Sequence, residues 1–99
     1  MSIHFYKKSD LSHSLLELSD EAYDLLESSF NALETKTGIF IDPYGTATLY
    51  PENLKLLYNI IRQQVPAGSP EKQGALIERV LQQLQQLYEL NIIIQAVGD

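Results

Sequence analysis

Ile92, Ile93 and Ile94 stand together directly after a long run whose apolar residues fall at helical spacing, and "IIIQAV" then closes on Gly98-Asp99. Leu76, Ile77, Val80, Leu81, Leu84, Leu87 and Tyr88 line one side of the preceding run, while Glu78, Arg79, Gln82, Gln85, Gln86 and Glu89 line the other. A β-branched stretch in that position, residues 92–97, reads as a buried final strand, central in its sheet, the alternative being a prolongation of the helix. Helices must then cover that sheet. With 99 residues the chain makes one domain, residues 1–99, of class α+β: a small, mostly antiparallel sheet covered by three or four helices.

The other elements follow from local chemistry. Residues 2–8 alternate Ile3 and Phe5 against His4 and Tyr6, the period of a strand covered on one face. This strand is expected at the sheet edge, where Lys7 and Lys8 would deter pairing with another chain. Residues 10–18 and 19–33 carry helical spacing, with a break at Ser19, an N-cap residue followed by Asp20 and Glu21. On a helical wheel over 17–34, Ala22, Leu25, Leu26, Phe30 and Leu33 share a face, and Glu17, Asp20, Asp24, Glu27 and Glu34 gather opposite. Gly38 should end that helix. Residues 38–42 and 46–49 read as the two strands of a hairpin around Pro43-Tyr44-Gly45. There Asp42 accepts backbone hydrogen bonds, Pro43 sets φ and Gly45 takes a strained conformation. Pro51 and Glu52 open a further helix with Leu54, Leu57, Tyr58 and Ile61 on its apolar side. Residues 66–70 read as a linker, and Ser69-Pro70-Glu71 restarts the helix.

Composition narrows the chemistry. A net charge of −6 with only seven basic residues argues against direct nucleic-acid binding, which depends on Lys and Arg displacing counterions. No run approaches a membrane span, so no membrane association is expected. The start of the chain lacks the pattern of an export signal, and a cytoplasmic location is expected by default. Absence of cysteine removes thiol catalysis, disulfides and thiolate metal sites. His4 and His13 are nine residues apart, outside the spacing of a helical metal pair. No serine sits in a nucleophile elbow, and no glycine cluster cradles a phosphate. The expectation is a protein that is not an enzyme and uses no metal or cofactor.

Binding remains. An acidic surface suits a basic partner and speeds its approach. Tyrosine supplies large contact area at low entropic cost. The candidate partner-binding residues are Glu17, Asp20, Asp24, Glu27, Asp42 and Tyr44. A second possibility is a self-associating structural or regulatory module, a homodimer zipped through Ile77, Leu81, Leu84 and Tyr88.

The run "ETKTGIFIDPYGTATLYPENLKLLYNII", residues 34–61, with the closing "IIIQAVGD", resembles the small immunity proteins of bacterial contact-dependent growth inhibition and related polymorphic-toxin systems. The likeness is one of layout: an acidic helix leads into "TG-I-x-I-D-x-Y", a helix opens near "L-Y-P", and an apolar strand follows. It implies a cytoplasmic protein that binds and neutralises a cognate toxin domain, often a nuclease with a basic cleft.

Overall fold

The computed structural model describes residues 2–64 and 71–98. Seven elements follow one another: β1 (Ile3–Lys7), β2 (Asp10–Leu18), α1 (Asp20–Thr37), β3 (Thr46–Leu49), α2 (Pro51–Gln64), α3 (Glu71–Glu89) and β4 (Ile94–Gly98). The class is α+β, as the sequence leads one to expect. The four strands form one antiparallel sheet in the order β2-β1-β4-β3. The linker at 66–70 and the restart at Ser69-Pro70 lie outside the described residues.

One face of the sheet supplies Ile3, Phe5, Leu16, Leu18, Leu49, Ile94 and Ala96 to a core shared with all three helices. Cross-strand pairing puts them side by side, with Phe5 opposite Leu16 on one flank and Ala96 on the other. The helices answer with Leu26, Phe30 and Leu33 from α1, Leu54, Leu57 and Ile61 from α2, and Val80, Leu81 and Leu84 from α3. Burial at 3- and 4-residue spacing is what makes these short helices hold, since isolated ones of this length are marginal in water. A second tie joins α2 to α3: Arg62 Nη1 donates to Glu78 Oε1 at 2.6 Å, and the Tyr58 ring meets the Tyr88 ring edge-on at 5.8 Å.

Helix ends fall where local chemistry places them. The Ser19 hydroxyl accepts from Ala22 N–H, and Gly38 takes the left-handed conformation at φ 78° while its N–H reaches Glu34 C=O. Tyr50 C=O receives the N–H groups of Asn53 and Leu54, and the Asn53 side chain accepts Tyr50 N–H in return. This reciprocal pattern fixes the entry to α2 just ahead of Pro51.

Three sequence expectations are corrected. Residues 10–18 form strand β2, not a helix. Leu11, Leu15 and Leu18 imitate helical spacing, but only Leu16 and Leu18 are buried, and both do so by pairing beside β1. Strand β1 is consequently interior, and β2 takes the edge. Residues 38–42 form no strand, and no hairpin closes on 46–49; β3 pairs instead with β4, Ala47 opposite Ala96 and Leu49 opposite Ile94. Two alanines facing each other leave room for helices to press close.

Candidate partner-binding surface

The loop between α1 and β3 is tied down from three sides. Asp42 Oδ1 accepts Tyr44 N–H at 2.8 Å, and Asp42 C=O accepts Gly45 N–H at 3.3 Å, which together make a tight turn. Gly45 serves here through its size. Its φ is not positive, contrary to the strained conformation expected of it, and a side chain would come within 3.0 Å of Asp42 Oδ2. From the sheet, Gly98 N–H donates to Gly45 C=O at 2.7 Å. A Cβ at Gly98 would collide with the backbone of Pro43 and lie 2.6 Å from Asp42 C=O, so β4 and the turn touch backbone to backbone. Gly98→Ala is therefore expected to push the turn off the sheet, costing about 1–3 kcal/mol. Thermal unfolding combined with faster exchange of the Tyr44 amide checks it.

The fixed turn holds Tyr44 outward. Its side chain is 75% exposed, the most open of the large hydrophobic residues described. No turn requires a tyrosine at that place, and this ring does not pack against the core.

Beside the turn, α1 presents its acidic side. Tyr23 lies at the border of the core, its ring tilted on Phe30 at 5.4 Å. Burial foremost, then the charges of Glu27, Asp42 and Asp24, push the Tyr23 hydroxyl above its ordinary ionisation range. Carboxylate charges from two separate segments of chain, α1 and the turn, thus act on one phenol. Helical spacing alone explains Asp24 and Glu27; tertiary folding adds Asp42.

The six candidate residues do not all converge. Glu27, Asp42 and Asp24 share the surroundings of Tyr23, and Tyr44 sits two residues along the turn from Asp42. Asp20 is exposed in the first turn of α1. Glu17 is misplaced by the wheel, because Ser19 caps the helix and leaves Glu17 on β2. There it faces His4 across the strands, 3.7 Å from Nδ1. It also borders a groove of about 310 Å³ lined by Ser19, Ala22, Leu76, Arg79, Val80 and Gln83. Arg79 places a positive charge in the same lining as Glu17.

The histidines serve separate local networks. His4 joins Ser2 through Nε2 and Ser14 through Nδ1, and its ring stacks with Tyr6 at 6.0 Å. His13 contacts Ser12 and Asp10 on β2. Neither meets Asp42, so His4, His13 and Asp42 do not build a common cleft.

Sequence reading sets Tyr23 beside the acidic helix face and at the core edge without counting it among the binding residues, and it omits Gly98 from the site's support. Tyr23 carries a signal, since it abuts the acidic side of the wheel. Gly98 carries none, as its contact spans more than fifty residues of chain. No helix among the described residues is long and apolar enough to cross a membrane. Comparison of the chain with protein-family models, with curated proteins and with solved structures finds no match.

Proposed function

We propose that this protein is an inhibitor of the immunity-protein kind, one that binds a basic toxin domain and blocks it. The carrying observation is the solvent-exposed Tyr44, on a turn held by Asp42 and by Gly98 of the sheet, with the charges of Glu27, Asp42 and Asp24 acting together on the nearby core-edge Tyr23. A nuclease cleft is built to receive phosphates, and carboxylates presented on a rigid surface occupy the same cationic groups. The acidic surface draws the partner in and sets its orientation. Tyr44 then supplies the desolvated contact that slows departure, the role aromatic anchors play at interface centres.

Tyr44→Ala tests the reading with a basic nuclease toxin domain, to be sought in the neighbouring reading frames, as probe. Binding should weaken about 30-fold or more, the effect of losing an anchor of about 2 kcal/mol. Thermal stability should move by less than about 0.5 kcal/mol, as for other exposed positions. Unchanged affinity sinks the role given to Tyr44. The alternative of a zipper through α3 has less surface to work with. Ile77, Leu81 and Leu84 are buried within the chain, and Tyr88 packs against Tyr58.

A further inference from the structure

Between α2 and α3 this chain already holds one guanidinium in a defined way. Arg62 lies over the Tyr58 ring, 5.4 Å from its centroid, while its Nη1 and Nη2 reach Glu78 Oε1 and Oε2 at 2.6 and 3.4 Å. The planar group is gripped through its face by the ring and through its edge by the carboxylate. The turn between α1 and β3 presents the same two kinds of group, an open tyrosine ring and a carboxylate, at Tyr44 and Asp42. No arginine among the described residues occupies them. We propose that Tyr44 and Asp42 together seat one arginine side chain of the protein's partner. The seat presupposes the basic partner proposed above and specifies the side chain that partner presents.

The two groups grow from one point. Asp42 Oδ1 accepts the Tyr44 N–H at 2.8 Å, and that nitrogen is two bonds from the Cβ that carries the ring. The second oxygen, Oδ2, takes no hydrogen bond from any described residue. Gly45 keeps it open, since a Cβ there would stand 3.0 Å away. The Tyr44 ring is mostly in solvent and offers a free face. A guanidinium laid on that face can turn an N–H edge to Oδ2, as Arg62 does between Tyr58 and Glu78.

The chain's own cations leave the seat to a partner. The ion pairs among the described residues join His4 to Glu17, His13 to Asp10 and Arg62 to Glu78, and none involves Asp42. Asp24 and Glu27, whose charges act with that of Asp42 on Tyr23, add to the potential that draws a cation to this side.

Lysine fits the seat less well. Its ammonium is a compact, strongly hydrated point charge, with no plane to lie on the ring and no fork to match a carboxylate. Arginine is more weakly hydrated, so covering it against Tyr44 costs less.

Two blocked peptides of equal charge, acetyl-tetra-arginine amide and acetyl-tetra-lysine amide, separate such a seat from plain attraction to an acidic surface. Titrated at low salt into isotope-labelled protein, the arginine peptide should move the Tyr44 amide and ring-proton resonances most. It should bind roughly 2- to 5-fold tighter than the lysine peptide. Tyr44→Leu keeps an apolar side chain without a π face and should bring the two affinities level. Asp42→Asn still accepts the Tyr44 amide but should weaken the arginine peptide more than the lysine peptide. Equal affinities in the parent protein, no saturable shift at Tyr44, or an arginine preference that survives Tyr44→Leu overturns the proposal. Neither peptide is a toxin, so the two ideas fail separately: level affinities remove the seat alone, and a nuclease left active in excess protein removes the inhibition alone.

Discussion

Replacing Phe30 by alanine is expected to lower stability by about 3–5 kcal/mol. Phe30 is almost wholly buried near the centre of α1, in the core shared by the sheet and all three helices. A domain of this size has roughly 5–15 kcal/mol in all, so the loss is a large share of its margin. Its melting temperature should drop by more than about 10 °C, on the scale of about 4–8 °C per kcal/mol. The effect reaches the surface as well, because Tyr23, on which the charges of Glu27, Asp42 and Asp24 act, rests on Phe30. Circular dichroism melts measure the first consequence. A loss below about 1 kcal/mol would mean that α1 does not seat its apolar face as described.

The second large effect concerns rate rather than stability. In the triple variant Asp24→Lys, Glu27→Lys, Asp42→Asn, association with a basic partner should slow about 10- to 100-fold at low salt. Asparagine is chosen at 42 because its carbonyl still accepts the Tyr44 amide, and the turn keeps its shape. Dissociation should change less, since steering acts before contact is made. Raising salt toward 1 M shrinks the screening length to about 3 Å and should erase most of the difference between variant and parent. Stopped-flow kinetics at two ionic strengths separate the contributions. Equal association rates at low salt would remove this surface from the binding account.

How far the sequence reveals this fold depends on how local each cause is. Ser19, Gly38 and Pro51 mark helix ends through interactions within a few residues, and all three act where sequence chemistry assigns them. β4 is legible because a β-branched run follows a long helix, although the strand begins only at Ile94, the one isoleucine of the three that is buried, and Ile93 is exposed. Residues 10–18 mislead because leucines at 11, 15 and 18 satisfy a helical template, while the deciding interaction is pairing with β1. The expected hairpin fails for a similar reason: Thr46–Leu49 finds a better neighbour in β4, forty-odd residues on, than in the segment before the turn.

The candidate surface divides along the same line. Asp24 and Glu27 follow from helix geometry alone, and the turn chemistry of Asp42 is read correctly. That the charge of Asp42 acts on the Tyr23 hydroxyl, and that Gly98 clamps the turn, are consequences of tertiary packing with no trace in local pattern. Glu17 shows how narrow the margin is, since a cap two residues downstream moves it from helix to strand.

The most direct test of the proposed inhibition mixes purified protein with a basic nuclease toxin domain, to be sought in the neighbouring reading frames, then measures that domain's toxic activity and the complex together. The account predicts a one-to-one complex that extinguishes the activity, forms more slowly as salt rises, and is weakened by Tyr44→Ala. Activity that persists in excess protein, or a complex indifferent both to salt and to Tyr44, would contradict it.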